Sequence, residues 1–138
     1  MRIGMIGLKG LPATYGGVER HVEELAACLV ELDHEVTAYA RSHYTPAGTE
    51  THRGARIIRQ GSIRTKHLDA ISHTFVASLD ALGREFDVIH YHAIGPALLS
   101  VIPRMWPPCR AAVVATVHSL DWRRRKWGAL RAGLRARS

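Results

Sequence analysis

Cysteine is scarce in this chain: Cys28 and Cys109 are the only two. One falls in a helical pattern and the other beside Pro107 and Pro108, so no disulfide framework is expected. Long apolar runs are also missing. No segment holds the ~20 consecutive apolar residues that cross a bilayer. Arg2 is the only charge before the first apolar run, and that run breaks at Lys9. This is not the layout of a signal peptide, so a cytoplasmic location is expected. Internal repeats, low-complexity stretches and obvious linkers are absent. Acid is in short supply, with 12 Asp and Glu against 19 Lys and Arg, a net charge of +7. That excess is local. Residues 1–119 sum to +1 and the last 19 residues to +6. A nearly neutral body argues against a dedicated nucleic-acid fold, and no nucleic-acid partner is expected.

What remains is a 138-residue chain, 46% hydrophobic, enough for one domain with a real core. Residues 2–8 form a continuous apolar run, as expected of a parallel strand covered on both faces. Residues 9–17 contain three glycines and a proline and read as a loop. Val18, Val22, Leu25, Ala26, Leu29 and Leu32 then recur at helical spacing. A second strand is expected over 35–41, a polar loop over 42–53 and a short third strand over 55–59. The spacing of Leu68, Ile71, Phe75, Leu79 and Leu82 predicts a helix over 67–84 with these residues on one face. A fourth strand follows over 86–91, a short helix over 95–102 ended by Pro103, a fifth strand over 111–117 and a basic helix over 122–137. Strands alternating with helices predict an α/β fold with a doubly wound, mainly parallel sheet. The junction between the second and third strands lacks a helix.

In such folds ligands bind beyond the carboxyl ends of the strands. Three segments fall there. Gly10-Leu-Pro-Ala-Thr-Tyr-Gly16-Gly17 follows a strand and opens a helix, whose free N–H groups and partial positive charge suit a phosphate. Neither a G-x-G-x-x-G fingerprint nor a G-K-[ST] P-loop is present, which disfavours dinucleotide dehydrogenases and P-loop NTPases. Glu19 and Arg20 lie in the first helical turn, where Glu19 either complements the helix dipole or binds a hydroxyl-rich ligand. His90 and His92 share one face of a strand. A third metal ligand is missing nearby, so no metal is expected. His90 is expected to pack in the sheet, and His92 to reach a ligand from the strand end. His118 ends the fifth strand, ahead of Asp121, and could donate to a sugar hydroxyl or phosphate or carry a proton. In the tail, Asp121-Trp-Arg-Arg-Arg-Lys-Trp mixes aromatic and basic residues. It reads first as a solvated helix packing Trp127, Leu130 and Leu134 inward, and second as a contact, through Trp122–Trp127, with an anionic membrane surface.

Three motifs carry a family likeness: Gly10-Leu-Pro-Ala-Thr-Tyr-Gly-Gly-Val-Glu19-Arg-His-Val, Phe86-Asp-Val-Ile-His-Tyr-His-Ala-Ile-Gly-Pro-Ala, and Thr116-Val-His-Ser-Leu-Asp-Trp-Arg-Arg-Arg-Lys-Trp-Gly128. Together they resemble the N-terminal domain of a family 4 retaining glycosyltransferase of the GT-B fold. The resemblance implies sugar transfer from a nucleotide-diphosphate-sugar donor to a hydroxyl of a glycan or lipid-linked acceptor, without a further cofactor. It implies that Gly16 and Gly17 approach the donor diphosphate and that His118 touches the donor sugar as the catalytic histidine. Glu19, Arg20, His92 and Asp121 are then acceptor or sugar contacts. Residues 1–119 are expected to form a Rossmann-like acceptor-side domain, continued by the tail at 120–138. The family's donor-binding domain, marked by two glutamates separated by seven residues, is not in this sequence. The chain by itself is therefore expected to be inactive and to need that half, with a separate chain as one source of it. The competing expectation is a non-catalytic module that binds phosphate, sugar or anionic membrane.

Overall fold

The computed structural model describes residues 1–14 and 16–117. The elements run β1 (Arg2–Ile6), α1 (Gly17–Glu31), β2 (Glu35–Arg41), β3 (Thr51–His52), β4 (Ala55–Gln60), α2 (Asp69–Leu82), β5 (Val88–His92), α3 (Ile94–Leu98), α4 (Val101–Met105) and β6 (Ala112–Thr116). Six strands form one sheet in the order β3-β4-β2-β1-β5-β6. Every pairing is parallel except the β3–β4 hairpin. This is the doubly wound α/β sheet expected from the sequence.

The alternation of side chains assigns the two faces. Ile3 and Met5 of β1 with Val36, Ala38 and Ala40 of β2 pack against Val22 and Ala26 of α1. Ile6, Tyr39, Ile89 and Tyr91 point the other way, toward Ala77 and Ala81 of α2. Parallel strands covered on both faces need apolar residues at nearly every position, which explains the unbroken run of β1.

The helix-free junction is explained by the hairpin. Thr51 and His52 pair back onto β4 through a two-residue turn, Arg53-Gly54, with φ of 49° and 86°. Positive φ at both turn positions matches the twist of flanking strands. The expected helix over 95–102 is instead two short helices. Pro103 does not end it but sits in the first turn of α4, where a missing N–H is tolerated.

The helix expected over 67–84 forms over Asp69–Leu82 as α2, with an unusual orientation. The predicted apolar face of α2 is its outer face: Ile71, Phe75 and Leu79 are each about half exposed. The buried face is His73, Thr74, Ala77, Ser78 and Ala81. The reason lies in the sheet beneath. Tyr39, Phe86 and Tyr91 fill that side of the sheet, leaving room only for small residues on the helix. The ring hydroxyls are met by polar groups of α2: Tyr39 donates to Asp80 at 2.7 Å, and the Tyr91 hydroxyl lies 2.7 Å from the Ser78 hydroxyl. No helix among the described residues is long and apolar enough to cross a membrane.

Candidate functional site

The sheet order places β1 in the middle, with the chain winding outward to β2 and β4 and then returning to β5. The switch point lies between β1 and β5, and crevices for ligands open at the carboxyl edge there. Gly7 marks it. Its φ is +108°, and a Cβ there would stand 2.3 Å from the His92 carbonyl oxygen. Only glycine allows the loops after β1 and β5 to run this close.

The loop then crosses to α1. Gly16 is the N-cap, with φ 91° and no side-chain cap, so the first N–H groups of α1 have no side-chain acceptor at the cap. Among the described residues, a Cβ on Gly17 would have nothing within 4 Å. Among the described residues the amino end of this 15-residue helix is thus open at the carboxyl edge of the sheet, the arrangement that favours an anion.

Glu19 is buried, and its Oε1 accepts the Lys9 backbone N–H at 3.0 Å. One turn later Glu23 accepts the Ala13 N–H at 3.3 Å and meets His52 Nε2 at 2.5 Å. The two carboxylates of α1 thereby fasten the glycine loop to its own helix. Arg20 is exposed on the same turn. His92 is fully buried at the end of β5, its ring 4.0 Å from that of His90. His90 keeps partial exposure, with its Nε2 2.6 Å from the Thr116 hydroxyl. Among the described residues no cluster of three metal-ligating side chains occurs. His118, Asp121 and the segment Trp122–Trp127 lie outside the described residues.

Sequence reasoning missed a second feature at this edge. A cavity of about 560 Å³ opens between the ends of β1 and β2 and the segment after β4, lined by Lys9, Arg41, His43, Tyr44, Arg64, Thr65, Lys66, Asp69 and Ala70. Arg41 Nη1 pairs with Asp69 Oδ2 at 2.8 Å, and His43 Nε2 lies 3.4 Å from the same oxygen. The Ser62 hydroxyl also donates to Asp69. Burial alone would raise the Asp69 pKa. The Ser62 hydrogen bond and the Arg41 and His43 charges outweigh it and hold the carboxyl below its usual range.

The family model for glycosyltransferase family 4 matches residues 15–138. The chain belongs to glycosyltransferase family 4. Its parallel, doubly wound sheet is the Rossmann-like architecture of GT-B enzymes, and membership implies a sugar donor and an acceptor in general terms. No curated protein matches the chain.

In this glycosyltransferase domain His73 stands behind the basic cavity, fully buried on α2. Burial first, and the Arg41 charge second, push its pKa down from 6.5 to about 4. A histidine held neutral contributes stability that is complete above pH 6.5 and lost as pH falls toward 4. The loss amounts to about 3 kcal/mol across that window. Urea unfolding at pH 7, 5.5 and 4.5 is expected to show this decline, and His73→Leu, which binds no proton, to flatten it. An unchanged pH slope in the variant would remove His73 as the cause.

Proposed function

We propose that this chain forms the acceptor-side wall of a cleft in which a sugar passes, with retention of configuration, from a nucleotide-diphosphate donor to an acceptor hydroxyl. The acceptor is a glycan or a lipid-linked glycan. The observation that supports this most is the open amino end of α1, at the carboxyl edge of the sheet, in a chain of this family. As the sugar–phosphate bond breaks, negative charge grows on the departing nucleoside diphosphate. The free N–H groups and dipole at Gly16 and Gly17 are placed to meet that charge. His118 is assigned to the donor sugar, and Arg20 and Asp121 to sugar or acceptor contacts, while His92, fully buried at the end of β5, supports the loop after that strand from within. Glu19 acts by holding the loop.

Catalysis belongs to the closed cleft, which excludes water and needs a donor-binding half. A panel of labelled nucleotide-diphosphate sugars tests this. Transfer to glycan or lipid-linked acceptors is expected when the chain is combined with a donor-binding half of the family. Failure of transfer in every combination would overturn the reading.

A membrane contact is supported by the outer face of α2. Ile71, Phe75 and Leu79 project from it, and α3 and α4, which pack against α2, add exposed Leu98, Val101, Met105 and Trp106. Arg104 of α4 is exposed, as are Arg64 and Lys66 on the segment that precedes α2, while Asp69 and Asp80 of α2 are held in ion pairs with Arg41 and Arg84. An apolar face bordered by cations suits an anionic lipid surface. The chain is expected to co-sediment with phosphatidylglycerol-containing vesicles and not with pure phosphatidylcholine. Phe75→Asp with Leu79→Asp should reduce that binding at least tenfold. Binding that survives the pair would move the contact away from α2.

A further inference from the structure

The basic cavity is separate from the amino end of α1, although Lys9 links it to the glycine loop. Four cations, Lys9, Arg41, Arg64 and Lys66, line it against one carboxylate, Asp69. That carboxylate is already engaged by Arg41, His43 and Ser62. Among the described residues, Lys9, Arg64 and Lys66 are left without an acid in the cavity wall.

The wall is also built rather than accidental. Arg41 donates its backbone N–H to the Lys9 carbonyl at 2.8 Å, tying β2 to the start of the glycine loop. Arg59 reaches back from β4 to the carbonyls of Ser42 and Thr45, at 2.9 and 3.2 Å. The Tyr44 ring lies under Lys9 Nζ at 5.7 Å and Arg41 Cζ at 5.8 Å. The Arg41 side chain is more than nine-tenths buried, yet its Nε makes no hydrogen bond.

We propose that this cavity binds the phosphoryl group of a phosphorylated acceptor, so that the domain selects an anionic acceptor over a neutral sugar. Naming the acceptor as the source of the phosphate rests on the transferase reading above; the phosphate site itself does not. Guanidinium forks and ammonium groups around one cavity suit a tetrahedral oxyanion with several acceptor oxygens. The cavity is roomy enough for more than the ion, so a sugar ring can follow its phosphate in.

Titration calorimetry on the full chain tests the proposal, with inorganic phosphate, a hexose 6-phosphate and the neutral hexose as probes. Both phosphates are expected to bind saturably and the neutral hexose not to bind. Arg64→Ala with Lys66→Ala should weaken both phosphates at least tenfold. These side chains are exposed, so the melting temperature without ligand is expected to hold. Lys66→Arg should retain binding.

Phosphate binding that ignores the Arg64 and Lys66 changes overturns the proposal. So does binding lost only in Gly17→Val, which would place the ion at the amino end of α1. Neutral hexose bound as well as its phosphate removes the anionic selectivity. Inorganic phosphate bound while the hexose phosphate is excluded removes the acceptor. Each of these outcomes leaves the transferase reading standing, because that reading fails only in the transfer assay.

Discussion

Gly17→Val is expected to abolish sugar transfer in the completed enzyme, by a hundredfold or more, while the domain melts within about 2 °C of the native chain. The two halves of that expectation have separate causes. A Cβ on Gly17 meets nothing within 4 Å among the described residues, so the substitution creates no clash with them. Gly17 is the first residue of α1, where a β-branched side chain costs only a few tenths of a kcal/mol in propensity. The same side chain projects into the space where an anion would approach the free N–H groups. Removing one oxyanion-type donor in other enzymes costs ~10²–10³ in rate, and a valine that blocks several should cost no less. Gly16→Val is a poorer probe. Its φ of 91° strains any L side chain, so lost activity there would mix with lost stability. Full transfer activity in Gly17→Val, with donor saturating, would refute the diphosphate role of the loop.

The second large effect is on the fold. Gly7→Val should destabilise the domain by about 3 kcal/mol or more, because two penalties coincide. The backbone at φ +108° disfavours a β-branched side chain, and the new Cβ would stand 2.3 Å from a backbone oxygen that cannot turn aside. The change should lower the melting temperature by about 10 °C or more. Gly61→Val is the matched control. Its Cβ would meet nothing within 4 Å, and its φ lies outside the left-handed region, so a change within about 0.5 kcal/mol is expected. Equal melting of both variants would mean that the β1 and β5 loops can separate at little cost. The crevice at the switch point would then lack the rigidity described for it.

Much of this was legible in the sequence because the signals were strong and local. The apolar run of 2–6, the β-branched and aromatic stretch of 35–41 and the 3.6-residue period of α1 each point to one answer. α2 shows where local reading fails. Its period was correct, but which side of a periodic helix faces inward depends on the partner. Bulky Tyr39 of β2 and Phe86 and Tyr91 of the β5 segment meet only in the fold, where they demand small residues opposite. The two-residue β3 carried only the Arg53-Gly54 turn as a cue. The basic cavity was hidden for a related reason. Counted along the chain the body is almost neutral, yet the folding of β1, β2 and β4 gathers Lys9, Arg41, Arg64 and Lys66 at one edge. Arg41 alternates with Ala40 on a strand and gave no sign of an ion pair 28 residues away. For the glycine loop, its composition identified it, but Glu23 as its second anchor was not foreseen.

Those anchors have a consequence for how the domain would meet its ligand. Lys9 and Ala13 are held by carboxylates four residues apart on α1, so this part of the loop and the helix behave as one piece. Ordering a free loop around a ligand subtracts from affinity about 0.5–1.5 kcal/mol for each side chain immobilised. Here that ordering is completed when the chain folds, before any ligand arrives. Binding strength is therefore set by the ligand's own charge and fit. Closure of a cleft around it would move the domain as a rigid body, leaving the anchored stretch of the lip already in its final shape.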